Sequence, residues 1–145
     1  MRALGIDLGS KRIGVATSDR SGTIATPLTV LKRSGSRETD YRAIAELVTE
    51  YEIECVVVGL PLHMNGNYGD AAKSAVAEVQ QLTSVLSVPV LTFDERRTTV
   101  TADNILMEQN MNAQERRKVI DKVAAAVMLQ SWLDGRKMTE ARSRD

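Results

Sequence analysis

Asp7 is the first residue whose surroundings suit it for chemistry. It lies in the stretch Gly5–Ala16, which predicts two short strands joined by a tight polar turn. Alternate side chains of a strand point to opposite faces, so Asp7 shares its face with Gly5 and Gly9, and no bulky side chain covers it. Glycine inside a strand often marks the close approach of a ligand or of another backbone. Such a carboxylate is suited to bind a metal ion or a phosphate-bearing ligand; the alternative is a solvated Asp in a plain β-hairpin.

Two further candidate acids lie in other predicted elements. Glu95 and Asp94 come directly after a predicted strand, whose alternation places them on opposite faces. We expect one of them, Glu95, to face the hollow beside Asp7; the alternative is the general preference for acids near a helix N-terminus. Asp121 lies inside the last predicted helix, where Asp is a mediocre helix former. It is therefore either solvated or directed at a shared ligand.

Carboxylates on three separate elements predict divalent-metal chemistry. If Asp7, Glu95 and Asp121 converged, they would repel one another, and at least one pKa would rise unless a cation were bound. The chain has one His and one Cys, which makes a zinc site unexpected, whereas carboxylate oxygens suit Mg²⁺ or Mn²⁺. Two such ions can activate a water and stabilise the leaving oxygen in phosphodiester hydrolysis. We expect Asp7 to bridge the ions and Glu95 and Asp121 to complete the ligand set.

Basic residues accompany these acids along the chain. Lys and Arg side chains anchor phosphates without reading base sequence. Any one basic cluster is more often a solvated face, but the distribution of these clusters around the acids favours nucleic-acid binding. The candidates are Lys11, Arg12, Arg96, Arg97, Arg116 and Arg117, with a further group at Lys32, Arg33 and Arg37.

The order of elements predicts an α/β fold with a mixed five-stranded sheet flanked by helices. The first three strands form an antiparallel meander, and Pro27 in the third indicates a sheet edge or a bulge. A helix then leads to the apolar run Cys55–Gly59, which is typical of a parallel strand covered on both faces. A second helix begins at Asp70, and Val88–Phe93 is the fifth strand. Short crossovers make these later strands parallel to the first, and such sheets bind ligands beyond their carboxyl ends.

The C-terminal third of the chain predicts two more helices. Thr98 or Thr99 can cap a helix that runs through Leu106. A capping-box pattern beginning at Asn112 starts the last helix, which we expect Gly135 to end. The predicted organisation is one domain over residues 1–135, followed by a polar, flexible tail over residues 136–145.

Composition restricts the class of protein. Lys and Arg total 19, as do Asp and Glu, so the net charge gives no argument for nucleic acid. No apolar run approaches the roughly 20 residues that a membrane-spanning helix needs, and the N-terminus enters a strand without a signal segment. Cys55 stands alone in an apolar run and is expected to be a small buried hydrophobe. Together these features predict a cytoplasmic protein.

Four segments of the chain match one known family in order. They are GIDLGSKRIGVA at residues 5–16, VVGLPLHMNGNYG at 57–69, DERRTT at 94–99 and DKVAAAVMLQSWL at 121–133. On these segments the chain resembles the YqgF family, also called RuvX, of the RNase H-like superfamily, and the family's acids fall on Asp7, Glu95 and Asp121. The resemblance implies an RNase H-like fold and a cytoplasmic bacterial nuclease that matures the 5′ end of pre-16S rRNA. Holliday-junction resolution is the rival activity, and the resemblance leaves open a monomer or a homodimer.

Other classes of protein share parts of this pattern. Actin-like ATP-binding proteins have a similar phosphate hairpin, but they need two such domains and a much longer chain. A nucleic-acid-binding module without catalysis would not need the acids. A Rossmann enzyme is disfavoured because no G-x-G-x-x-G follows the first strand.

Overall fold

The fold is a five-stranded mixed sheet with helices on both faces. The computed structural model describes residues 1–98 and 113–144, and it describes side chains for residues 1–98 and 122–137. The strands are β1 (Ala3–Leu8), β2 (Arg12–Ser18), β3 (Ala25–Lys32), β4 (Cys55–Leu60) and β5 (Val90–Asp94). The helices are α1 (Arg37–Glu50), α2 (Asp70–Val85) and α3 (Ala113–Arg144). The helix predicted to run from Thr98 or Thr99 through Leu106 lies outside the described residues, apart from Thr98 itself.

The sheet has the predicted topology, with strand order β3-β2-β1-β4-β5. β1, β2 and β3 pair antiparallel, whereas β4 pairs parallel with both β1 and β5. Both expectations for Pro27 are confirmed, because β3 is an edge strand and its register shifts where Pro27 pairs with Ala16. The carboxyl ends of β1, β4 and β5 therefore lie at one edge of the sheet, where the predicted acids follow them.

Each face of the sheet carries its own hydrophobic core. On one face, Leu4, Ile6 and Val15 pack with Ile44 of α1 and Leu82 of α2. On the other face the buried residues come from the sheet and from α3: Ala3, Ala16, Ala25, Cys55, Val57, Phe93, Ala125, Ala126, Met128, Leu129 and Leu133. Cys55 is buried there, and burial raises the pKa of its thiol, as expected of a small hydrophobe rather than a nucleophile.

Helix α3 lies directly on the strand that carries Asp7. A Cβ atom added to Gly5 would come within 2.8 Å of the Leu129 Cβ and 3.2 Å of the Ala125 carbonyl oxygen. Buried Gln130 fixes the helix to the start of β3, since its Oε1 accepts from Ala25 N at 2.8 Å and its Nε2 donates to Thr23 O at 2.9 Å. The missing side chain at Gly5 thus allows α3 to pack closely against β1. The open cavity lies further along the strand, beside Asp7.

The predicted helix end at Gly135 is wrong, because α3 continues to Arg144. Gly135 is not among the glycines with positive φ, so it lacks the left-handed conformation that ends many helices. A helical glycine costs only about 1 kcal/mol, and the following residue is held: the Arg136 guanidinium lies 5.1 Å from the centre of the Trp132 ring. That residues 136–145 form a flexible tail stays a prediction. No helix within the described ranges has the length and apolar run needed to cross a bilayer.

Candidate active site

Asp7 and Glu95 meet at the carboxyl edge of the sheet. Asp7 lies near the end of β1, and Glu95 opens a single 3₁₀ turn directly after β5. Their side chains are in hydrogen-bond contact, although four strands, β2 to β5, lie between them in sequence. They open into a cavity of about 410 Å³ whose other lining residues are Thr98 and, from α3, Val123, Ala124, Val127 and Met128. The structure therefore brings together two of the predicted acids in an accessible pocket with one apolar wall.

Gly59 creates the space through which Glu95 reaches Asp7. Strand β4 lies between β1 and β5, and Gly59 pairs in register with Phe93, two residues before Glu95. A Cβ atom added to Gly59 would come within 2.6 Å of the Glu95 Oε1 and 3.1 Å of its Cγ. Because Gly59 has no side chain, the Glu95 side chain can cross over β4. Sequence reasoning did not assign this role to Gly59, although a glycine near the end of an otherwise apolar strand signals a close approach.

The surroundings of Glu95 favour its protonated form. Burial is the main cause, followed by the negative charge of Asp7, the hydrogen bond with Asp7 and the charge of Asp94, and together they raise the pKa of Glu95 to about 7. Two carboxyl groups in contact cannot both ionise without a large repulsion. The pair therefore holds a proton near neutral pH unless a cation neutralises it, which is the rise in pKa that the sequence predicted for converging acids.

Asp94 turns away from this pocket, as the strand alternation predicted. Its Oδ1 accepts from the backbone N–H of Arg96 at 3.0 Å, and both of its oxygens lie 3.0 Å from the Arg96 Nε. The hydrogen bond from Arg96 is the main reason that the pKa of Asp94 lies below its usual value. Asp94 thus caps the 3₁₀ turn that presents Glu95.

The donor set of the pocket fits a hard divalent cation. Carboxylate oxygens are the ligands that Mg²⁺ and Mn²⁺ prefer, and a cation would relieve the repulsion that raises the Glu95 pKa. Among the described side chains, no group of three or more His, Cys, Asp or Glu residues is placed to hold a metal. Asp121 belongs to α3, but its side chain lies outside the described residues. Asp7 and Glu95 are therefore the two metal-ligand candidates that the structure places.

The basic residues predicted to contact nucleic acid lie in different surroundings. Lys11 and Arg12 are exposed at the turn after β1. Arg96 is committed to its ion pair with Asp94, and the Arg97 guanidinium lies 5.9 Å from the centre of the Phe93 ring. The side chains of Arg116 and Arg117, at the start of α3, lie outside the described residues. Of the described candidates, Lys11 and Arg12 come closest in sequence to Asp7.

Arg33 occupies an unexpected place, since it forms a buried ion pair. Its Nη1 and Nη2 each donate to one carboxylate oxygen of Glu78 at 2.8 Å, and the Glu78 side chain is 4% exposed. The Tyr41 hydroxyl donates to the same carboxylate at 2.7 Å. A sequence signal existed, because Glu78 interrupts the apolar stripe of α2 between buried Ala75 and Leu82. Arg33 is therefore a structural residue rather than a free phosphate contact.

Comparisons with known proteins agree with this architecture. Relatives named "Putative pre-16S rRNA nuclease" are 44% identical in Thermoanaerobacter pseudethanolicus (94% of this chain, 99% of the relative) and 44% identical in Listeria innocua (92% and 98%). Thermus thermophilus RuvC, solved with a Holliday junction substrate, superposes with a TM-score of 0.60 at 17% identity over 94% of this chain and 96% of RuvC. That likeness shows an RNase H-like fold. The model of the RuvX family, described as Holliday junction resolvase, matches residues 1–135, and the chain belongs to that family.

Proposed function

We propose that this protein is a metal-dependent nuclease that hydrolyses phosphodiester bonds, with the precursor of 16S rRNA as its substrate in the cytoplasm. The observation that carries the proposal is the contact between Asp7 and Glu95 in an open pocket at the carboxyl edge of the sheet. Placing two carboxyl groups together costs free energy, and binding a cation offsets that cost. The names of the relatives supply the choice of RNA.

The roles of the residues follow from their positions. Asp7 and Glu95 would hold Mg²⁺ or Mn²⁺, with Asp121 as the proposed third ligand. A bound divalent ion would supply stabilisation of negative charge on the phosphate and would favour ionisation of water at neutral pH. Gly59 leaves room for Glu95 to reach Asp7, and Asp94 fixes the turn that carries Glu95. The apolar residues of α3 exclude water from one side of the pocket.

Basic side chains would hold the substrate by its phosphates. Lys11 and Arg12 lie at the turn that follows Asp7, and we include Arg97, Arg116 and Arg117 as further contacts. Arg96 contributes less, since Asp94 already neutralises its charge. The chain would act on nucleic acid without a membrane, as a monomer or a homodimer.

A second candidate is resolution of four-way DNA junctions. The description of the family model and the fold shared with RuvC favour it. The test presents structured precursor RNA and a four-way DNA junction side by side, each with Mg²⁺ or Mn²⁺, to the wild type and to Asp7→Asn. We expect cleavage of the RNA by the wild type and a loss of about 10²-fold or more in Asp7→Asn, the size of effect that loss of one electrostatic group causes.

Controls separate the possible outcomes of this test. Glu50→Gln replaces an exposed carboxylate at the end of α1 and should cleave like the wild type. Equal cleavage by wild type and Asp7→Asn would reject the catalytic assignment. Cleavage of the junction alone would favour the resolvase, and binding without cleavage would favour a nucleic-acid-binding module.

A further inference from the structure

A second cleft lies on the opposite face of the sheet from Asp7 and Glu95. It has a volume of about 630 Å³ and lies between the turn after β1, the loop after β3 and the first turns of α2. Leu8, the residue after Asp7, lines one end of it, together with Gly9 and Lys11. The short turn Gly9–Lys11 therefore lies between this cleft and the acidic pocket, the cavity lined by Asp7 and Glu95.

The cleft carries an excess of positive charge that is available to a ligand. Its lining has four cationic side chains against two carboxylates: Glu78 pairs with Arg33, and Asp40 accepts from both the backbone N–H and the hydroxyl of Ser34 at 3.0 and 2.9 Å. Arg33 is used in the same pair. The remaining cations that line the cleft are Lys11, Lys32 and Arg37.

These three cations are accessible. Lys11 and Lys32 are exposed, and neither ammonium group forms an ion pair within the part of the chain that the structure describes. The Arg37 side chain is 50% exposed; its Nη1 donates to Gln81 Oε1 at 3.3 Å, and its Nε lies 4.0 Å from Glu78. Because its Nε lies 4.0 Å from Glu78, the exposed Arg37 guanidinium still has N–H groups that can donate to an incoming phosphate.

The buried Arg33–Glu78 pair fixes the walls of the cleft. The Arg33 Nε donates to the Gly9 carbonyl oxygen at 2.7 Å, and the Arg33 backbone N–H donates to the Lys11 carbonyl oxygen at 2.9 Å. The turn after Asp7 is thereby tied to the end of β3, and through Glu78 to α2. The positions of Lys11 and Lys32 are set relative to the acidic pocket before any ligand binds.

We propose that this cleft binds the phosphates of the substrate strand that flank the bond to be cleaved. This inference rests on the proposed nuclease function, because it assigns a second contact to the same nucleic-acid strand. The strand would pass from the acidic pocket over the turn Gly9–Lys11 into the cleft. Contacts of this kind are independent of base sequence, weaken with salt and gain importance with the length of the strand.

The experiment measures RNA binding in the Asp7→Asn background, where cleavage is not required. The double variant Lys32→Gln/Arg37→Gln removes two cleft cations, and Arg20→Gln/Arg42→Gln removes two exposed cations that do not line the cleft. Fluorescence anisotropy gives the affinity for a long single-stranded RNA and for an oligonucleotide too short to reach beyond the pocket, each over a range of salt concentrations. Thermal unfolding verifies that both double variants remain folded.

The cleft variant should bind the long RNA about tenfold more weakly than the surface control. The slope of log affinity against log salt should fall by about 1, as expected when one or two phosphate contacts are lost. Its affinity for the short oligonucleotide should be unchanged.

Other results would overturn the inference in distinguishable ways. Equal slopes and affinities for the cleft variant and the surface control would exclude the cleft as a contact. An equal loss of affinity for the long RNA and the short oligonucleotide would indicate a site for a small phosphate ligand instead. Failure of the nuclease proposal would show separately, as undiminished cleavage when Asp7→Asn is assayed alone beside the wild type.

Discussion

Two glutamates on opposite faces of the same sheet, Glu78 buried and Glu95 half-buried, have opposite protonation tendencies. Glu95, against α3, touches another carboxyl group, and burial together with the Asp7 charge raises its pKa to about 7. Glu78 of α2, which contacts Tyr41 of α1, is also penalised by burial, but hydrogen bonds from Arg33 and Tyr41 outweigh that penalty and lower its pKa. Burial acts in the same direction on both side chains, so the charge of the neighbouring group decides the outcome.

The opposite pKa shifts of the two glutamates distinguish a candidate ligand-binding site from a structural ion pair. The Arg33–Glu78 pair has its donors and acceptors satisfied within the chain, and no buried side-chain N or O atom among the described residues lacks a partner. The Asp7–Glu95 pair, in contrast, brings two carboxyl groups into contact at an open cavity. Perturbed carboxyl groups in a cavity are characteristic of functional sites, whereas matched buried ion pairs are more often structural.

The largest expected effect on stability follows from removing the charge of Glu78. Glu78→Gln leaves the largely buried Arg33 guanidinium, whose side chain is 15% exposed, without its counter-charge, which should cost about 3 kcal/mol in the free energy of unfolding. Urea denaturation measures the loss. Glu38→Gln is the matched control, since it breaks the exposed pair with Arg42 and should cost about 0.5 kcal/mol or less.

A double variant sharpens this prediction. Arg33→Met with Glu78→Leu removes both charges and should recover part of the stability lost in Glu78→Gln. A loss in Glu78→Gln no larger than that in Glu38→Gln would show that the pair is not the closed structural unit described above.

The pH dependence of stability should have opposite signs on the two faces. The pKa of Glu95 is raised, so the folded protein binds an extra proton between the ordinary value of 4.5 and about 7, and its contribution to stability falls as pH rises through that range. The pKa of Glu78 is lowered, so its contribution is present above about pH 4.5 and is lost as the pH falls through its folded value.

Unfolding in the presence of a chelator, measured against pH, isolates the Glu95 contribution. Relative to Glu95→Gln, the wild type should lose about 3 kcal/mol between pH 4.5 and pH values above 7. In the Asp7→Asn background the loss of stability over this pH range should be smaller, because the Asp7 charge is gone while the partial burial of Glu95 remains. Parallel curves for the wild type and Glu95→Gln would contradict the raised pKa.

Gly59 offers a way to disturb the acidic pair without changing a charge. Gly59→Ala places a methyl group where the Glu95 side chain lies, so Glu95 must shift, and we expect it to lose its contact with Asp7. Displacement by about 1 Å can cost up to about 10²-fold in rate, and we expect a loss of cleavage of about 10- to 10²-fold. The pKa of Glu95, followed by NMR, should fall toward its ordinary value; an unchanged pKa with full activity would contradict the role assigned to Gly59.

The smallest expected effect comes from replacing another glycine, Gly135 of α3, by alanine. No heavy atom of the described residues beyond the local helix lies within 4 Å of a Cβ atom added to Gly135. Gly135→Ala should therefore raise the free energy of unfolding by about 0.5–1 kcal/mol, through helix propensity, and leave cleavage unchanged. Destabilisation on urea denaturation would indicate that the helix ends at Gly135 after all.

The sequence by itself determined the order of the elements and the edge of the sheet where the acids lie. The alternation around Asp7 predicted a strand face without bulky side chains, and the alternation after β5 predicted opposite directions for Asp94 and Glu95, because side-chain direction in a strand follows from its period of two. The apolar run of β4 and the proline of β3 likewise predicted strand positions through local chemistry. Gly135 misled the prediction, since a glycine ends a helix when it adopts positive φ, and Gly135 keeps a helical backbone.

The tertiary structure alone decided which charges are available. Arg33 and Glu78 are far apart in the chain, and no local period indicates that they pair. Nor does local sequence show that Glu95 crosses Gly59 to touch Asp7. Pairing energies depend on distance and burial across elements, and these are fixed only when the sheet and its helices pack together. That packing gives the two glutamates their opposite roles.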